Sequence, residues 1–336
     1  MFVREVYVGL DYHQKFVQVC VLDPEGNVLG SRRCDNHWCR IADYANGFGR
    51  VRRAAIEACC GSADLAEELV EEAGWSVDLA HPGYMSRMKR GPDKSDYTDA
   101  RLGADLTRVG YLPRVWLAPH AVRELRRLIR YRQEQANLRR NTKLRIRALL
   151  REQRVTAPVR AWTRPWFEWL ETEAPLSEQG RWVIDRHLSQ LTWVERELAI
   201  IERRLEEATK GDPVVARLRD QRGIGPVTAW TIRAEVGRFD RFATGKQLSR
   251  FCALSPQNAS TGGNGADAGV IKAGSRTLRA VLIEAAHRLS IHDAEWRAFR
   301  QRMRAAGKPG GVIAVAIANR WMRKLFYEMN EMNEAA

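Results

Sequence analysis

Near residue 118 the hydrophobic pattern of this 336-residue sequence changes period, and the two sides of the change demand different architectures. Upstream, short apolar runs alternate with turns and short helical segments. Val6–Asp11 is apolar and β-rich, and Phe16–Leu22 gives a second strand. The turn Asp23-Pro24-Glu25-Gly26-Asn27 then leads to a third strand around Val28–Arg33. Residues 41–49 read as a helix, Arg53–Glu57 as a fourth strand, Ala63–Ala73 as a helix and Ser76–Ala80 as a fifth strand. Three strands in a meander followed by βα units predict a mixed sheet flanked by helices. Downstream the spacing predicts two long helices, about 118–154 and 178–210, around a Trp- and Pro-bearing break at 157–169. In the second, Leu191, Val194, Leu198, Ile201 and Leu205 step by three and four. This heptad seam predicts a coiled coil, with an amphipathic helix packed inside its own domain as the alternative. Gly211-Asp212-Pro213 ends the arm, and a helical region closing with an apolar helix at Val312–Met329 follows. The expected domains are 1–117, 118–210 and 211–336.

Charge narrows the function. The formal net charge is +14, which favours a polyanionic partner, most simply nucleic acid. It is concentrated: residues 123–154 hold 12 Lys and Arg against three Glu. Arg126, Arg127, Arg130, Arg132, Arg139, Arg140, Lys143, Arg145 and Arg147 form a stripe on one predicted helix, expected to bind phosphates. The six cysteines have no CxxC spacing and no zinc-ligand pattern, and read as buried small hydrophobes in a reducing compartment. No window approaches 18 uncharged apolar residues, and Met1–Glu5 lacks the start of a signal peptide. The expectation is a cytoplasmic protein with no membrane segment.

Asp11 ends the first strand, Glu57 ends the fourth, and Asp96 and Asp99 are spaced i, i+3, on one face of a helix. Four carboxylates that close repel unless divalent cations neutralise them, and hard oxygen ligands suit Mg²⁺ or Mn²⁺. Two further segments carry chemistry. Arg222-Gly223-Ile224-Gly225-Pro226 is a tight turn into a helix start, with Gly223 and Gly225 able to expose backbone N–H groups to phosphate. Phe251-Cys252-Ala253-Leu254-Ser255-Pro256 leads to Ser260-Thr261-Gly262-Gly263, then Lys272-Ala273-Gly274-Ser275-Arg276-Thr277-Leu278-Arg279. A hydroxyl on a Gly-flanked loop near Lys272, Arg276 and Arg279 suits a nucleophile attacking a phosphodiester.

The segments Val8-Gly9-Leu10-Asp11-Tyr12-His13-Gln14-Lys15, Ala55-Ile56-Glu57-Ala58, His81-Pro82 and Lys94-Ser95-Asp96-Tyr97-Thr98-Asp99-Ala100 resemble the DEDD domain of one insertion-sequence transposase family. That family is known as the bridge-RNA-guided recombinases. The resemblance implies an α/β, Holliday-junction-resolvase-like (RuvC-like) RNase H fold, with Asp11, Glu57, Asp96 and Asp99 as the catalytic and metal-binding quartet. The order G-x-x-P, Ser-Gly element, K-x-G, L-R is similar to the family's second, mostly α domain, although Ala253 stands where Gly is usual. The family places Ser directly before Gly; here Thr261 holds that place and Ser260 precedes it, so Ser260 is the preferred nucleophile and Thr261 the alternative. The resemblance further implies DNA cut and rejoined through a phosphoserine linkage, target and donor DNA as substrates, a structured guide RNA, and a homodimer assembling into a tetramer. The helical arm is a reasonable dimerisation element. The competing readings are a metal-dependent nuclease or junction resolvase that uses water, and a non-enzymatic helix-hairpin-helix binder of nucleic acid.

Overall fold

The computed structural model describes residues 4–88, 95–258, 267–271 and 273–334; Ser260, Thr261 and Lys272 lie outside the described residues. The chain divides into two compact units, Met1–His120 and Ala121–Ala336.

In the first unit the strands are β1 (Glu5–Tyr12), β2 (Phe16–Leu22), β3 (Val28–Asp35), β4 (Arg50–Glu57), β5 (Val77–Ala80) and the two-residue β6 (Arg114–Val115). The helices are α1 (Trp38–Asn46), α2 (Ser62–Glu71), α3 (Pro82–Met85) and α4 (Asp96–Arg108). One sheet forms in the order β3-β2-β1-β4-β5-β6. The first three strands are an antiparallel meander, β1, β4 and β5 run parallel, and β6 returns antiparallel. This is the mixed sheet the sequence predicts. Side chains alternate between its faces. Val19 and Val21 join Ile41, Leu65 and Leu69 on the side of α1 and α2. Cys20 and Leu22 meet Ala100 and Ala104 of α4 on the other.

The second unit is mostly helical: α5 (His120–Glu152), α6 (Arg164–Thr172), α7 (Glu178–Ala208), α8 (Pro213–Arg219), α9 (Pro226–Val236), α10 (Gly245–Phe251), α11 (Arg276–His292), α12 (Ala294–Ala305) and α13 (Gly310–Glu334). A small antiparallel ribbon joins β7 (Pro256–Asn258) to β8 (Asp267–Val270). Helices α5 and α7 lie antiparallel: Arg132 bonds Glu202 at 2.6 Å, Thr142 donates to Gln190 at 3.0 Å and Gln153 donates to Ser177 at 3.1 Å. All five seam residues of α7 are buried within this chain. The outer end packs Ile146, Leu150 and Ile184 with Trp166 and Trp169. At the inner end Ile201 and Leu205 join Leu125, Leu218, Trp230, Leu282 and Trp321 in one core. Residue 210 therefore marks no boundary between compact units, because the seam is completed by helices on both sides of it.

Among the cysteines, Cys20, Cys34 and Cys252 are buried and all six are free. Cys59 and Cys60 are exposed, contrary to the expectation of burial, because they sit on the turn after β4, beyond the sheet. Among the described residues no helix is long and apolar enough to cross a membrane.

Candidate active site

Asp11 lies one residue before the end of β1 and Glu57 closes β4; the parallel register Leu10↔Ile56 sets them side by side at the carboxyl ends of neighbouring strands. Alternation puts Asp11 on the face of Gly9 and Glu57 on the face of Ala55, the face that α4 covers. A Cβ at Gly9 would stand 1.8 Å from the Ala100 carbonyl oxygen and 2.5 Å from the Ala104 nitrogen, so only glycine lets α4 approach this closely. The start of α4 is fixed by a capping box: the Ser95 hydroxyl accepts from the Thr98 N–H, and the Thr98 hydroxyl accepts from the Ser95 N–H. Asp96 and Asp99 thereby fall in the first turn.

Asp11, Glu57 and Asp99 line one narrow cleft with Ala80, Met85 and Gly103. Asp96 faces a neighbouring set. Arg33 donates to it at 2.8 Å, and His13 Nε2 stands 3.3 Å from both Asp96 Oδ1 and Asp11 Oδ2. One ligand atom each from Asp11, His13 and Asp96 lies within 4.8 Å of the others. Burial pushes the Asp11 carboxyl above its ordinary range; His13 pulls it back, while the carboxylates of Asp99 and Asp96 add to the rise. Oxygen ligands crowded in this way are a donor set suited to a hard divalent cation. His13 was not among the site residues expected from sequence. Its signal was its place two residues after Asp11, which at strand period brings both to one face.

The C-terminal segments are partly placed. β7 and β8 form a ribbon that the sequence pattern did not predict, and the candidate hydroxyls Ser260 and Thr261 lie outside the described residues. Arg276 is exposed at the first position of α11, whereas Arg279 donates to the Ile271 carbonyl at 3.3 Å. Gly223 has a left-handed φ of +86°, and a Cβ there would meet Arg288 Cβ at 3.2 Å, which gives this glycine a packing role. Gly225 caps α9 without a side-chain bond, next to Pro226 in the first turn as the sequence predicts.

The basic stripe needs correction. Arg127, Arg130, Arg140, Arg145 and Arg147 are exposed along α5, and Arg139 is half-buried. Arg126 is not a phosphate-facing residue: it donates to the carbonyls of Ala234 at 2.8 Å and Glu235 at 3.1 Å, satisfying the C-terminal end of α9. Arg132 is likewise spent on Glu202. Arg127 pairs with Glu124 on the surface, and Lys143 lies 3.8 Å from Glu195 and 4.9 Å from the Trp162 ring centroid.

Residues 8–154 match the DEDD-type IS110 domain model, described as Transposase, and residues 215–301 match the model described as Transposase IS116/IS110/IS902 family. The chain belongs to the IS116/IS110/IS902 family of transposases. Over 333 residues, 95% of each chain, this transposase is 28% identical to the "Probable family 20 transposase" of Pseudomonas aeruginosa. It is 24% identical over 290 residues to the transposase for insertion sequence element IS1111A of Coxiella burnetii, covering 85% of this chain and 78% of that one. The transposase for IS1328 of Yersinia enterocolitica is 24% identical over 282 residues, 80% of this chain and 81% of its own. As a transposase it is an enzyme that cleaves and rejoins DNA, and its DEDD-type domain is of a kind that works with divalent metal.

Proposed function

We propose that this transposase exchanges DNA strands through a serine-linked covalent intermediate, with Ser260 as nucleophile and with Asp11, Glu57, Asp96 and Asp99 holding Mg²⁺ or Mn²⁺. The reading rests above all on the convergence of Asp11, Glu57 and Asp99 in one cleft at the carboxyl ends of adjacent strands, with Asp96 one helical turn away. A bound divalent ion would offset charge at phosphorus and on the leaving oxygen.

The Ser260 hydroxyl attacks a backbone phosphorus; its Oγ–P bond forms as the P–O bond to a deoxyribose breaks, and the leaving oxygen takes up a proton. The phosphate stays a diester, so rejoining needs no nucleotide: a sugar hydroxyl of the partner strand attacks the same phosphorus and releases Ser260 with its proton. Exposed Arg140, Arg145 and Arg147 on α5 supply a surface for a phosphate backbone, which suits a structured guide RNA from the enzyme's own element. Exchange between two DNA partners calls for paired active sites, met by a homodimer that assembles into a tetramer.

The test is a labelled junction DNA incubated with the full chain, its co-purified RNA and Mg²⁺, then resolved on a denaturing gel. The reading expects a protein–DNA adduct that Asp11→Asn abolishes. Magnesium-dependent nicking without an adduct would instead establish a nuclease or junction resolvase that uses water.

A further inference from the structure

The second unit carries a cationic cleft whose charged walls lie outside the basic stripe of α5. It is open, about 380 Å³ in volume, and lies between α10 and α13. Lys246 and Arg250 stand i, i+4 on α10, and Asn319 and Arg323 stand i, i+4 on α13, so each helix turns one face toward the cleft. The close approach depends on Gly245, where a Cβ would meet the Arg323 carbonyl oxygen at 3.1 Å. The floor is satisfied: Ser249 donates to the Asn319 carbonyl at 3.4 Å, and Asn319 Nδ2 donates to the Leu254 carbonyl at 3.1 Å.

The walls are not neutralised. Lys246, Arg250 and Arg323 are exposed, and none has an acidic partner among the described residues. Other cations on and around α13 do: Lys324 pairs with Glu295 at 2.9 Å, and Glu328 accepts Arg217 at 3.2 Å. Three like charges converging on polar, hydrogen-bonded walls suit a phosphate. Ser255 lines the same cleft immediately before β7, the strand that leads to residues 259–266.

We propose that this cleft binds a backbone phosphate of the DNA strand that the enzyme cuts. The proposal rests on the serine reading above. DNA is favoured over RNA by chain continuity: Ser260 comes five residues after Ser255, a span of at most about 17 Å, or roughly five nucleotides along one strand. The cleft thus sets the register of the strand, holding one phosphate a few nucleotides from the one attacked.

The test uses the full chain with the triple substitution Lys246→Gln, Arg250→Gln and Arg323→Gln, and reads log–log salt slopes for DNA and for the element's RNA. The DNA slope is expected to fall by roughly 0.7–0.9, the value for one lost phosphate contact, with the RNA slope and the melting curve unchanged. An unchanged DNA slope, or a fall confined to RNA, overturns the proposal. In a second arm, neutral methylphosphonates replace the phosphates within about five nucleotides of the cut bond. They should weaken binding to the unsubstituted protein and leave the triple variant unaffected; equal weakening of both places the contacts elsewhere and overturns it. The adduct separates the two levels. An adduct at Ser260 with an unchanged slope sinks only the cleft, and no adduct at all sinks the serine reading whatever the slope does.

Discussion

At Gly9 a single methyl group would place carbon 1.8 Å from the Ala100 carbonyl oxygen, so the meeting of Asp99 with Asp11 and Glu57 depends on the absence of a side chain there. Gly9→Ala should cost about 1–3 kcal/mol by overpacking and lower DNA cleavage more than it lowers the folded fraction, as paired melts and cleavage assays would show. A different prediction attaches to Asp11. Its carboxyl titrates above the ordinary value near 3.8, chiefly through burial. Between those two pKa values the folded state binds more protons than the unfolded one, so stability falls as pH rises through that window and the penalty is complete above it. Asp11→Asn removes the penalty. In chelator at pH 7 it should melt no lower than the unsubstituted enzyme, with the difference shrinking as pH falls toward 4. Added Mg²⁺ should raise the melting temperature of the unsubstituted enzyme alone. A variant that melts well below it in chelator would make Asp11 structural. Ala253 explains its own oddity: its φ of +55° is left-handed, the conformation for which the family's usual glycine is suited. Ala253→Gly should therefore keep stability within about 1 kcal/mol, the relieved strain offsetting the added chain entropy.

Along α5 the arginines divide by helical phase. Arg126 and Arg132 step with Leu125, Ile129 and Gln135 on the packed face, while Arg140, Arg145 and Arg147 lie in solvent. Arg126→Gln should destabilise by about 1–3 kcal/mol, since two carbonyls of α9 lose their donors, and leave the salt dependence of nucleic-acid binding unchanged. Replacing Arg140, Arg145 and Arg147 together should do the reverse, lowering the slope by about 2 to 3 with an unaltered melt. This division also shows what the sequence made legible. Apolar, β-rich runs bounded by turns locate β1, β2 and β5 nearly to the residue. Period 3.5 located α7, whose seam is buried against its own chain. The sign of the charges marks the stripe, but only helical phase separates Arg126 and Arg132, which face the packed side, from the exposed arginines. Strand β6, two residues long, and the β7–β8 ribbon have no period to read. Asp11, Glu57 and Asp99 were recoverable because strand ends and an i, i+3 pair are local features; the alignment of His13 and Arg33 on Asp96 is tertiary.

For the whole molecule, the candidate carboxylates fall in the first compact unit, and the sequence positions of the proposed nucleophile fall in the second. In the proposed tetramer, the serine of one subunit can act with the carboxylates of another. Mixing Asp11→Asn protein with Ser260→Ala protein should restore part of the strand exchange that neither performs alone, whereas a site completed within one chain would give no restoration. The central claim is the covalent route through Ser260, and mass spectrometry of the DNA-linked peptide tests it most directly. Ser is less hindered than Thr, whose methyl group crowds in-line attack and stiffens χ1. The account predicts that Ser260→Ala eliminates the adduct and that Thr261→Ala retains at least part of it, with the link on Ser260. An adduct that survives in Ser260→Ala and vanishes in Thr261→Ala would contradict it.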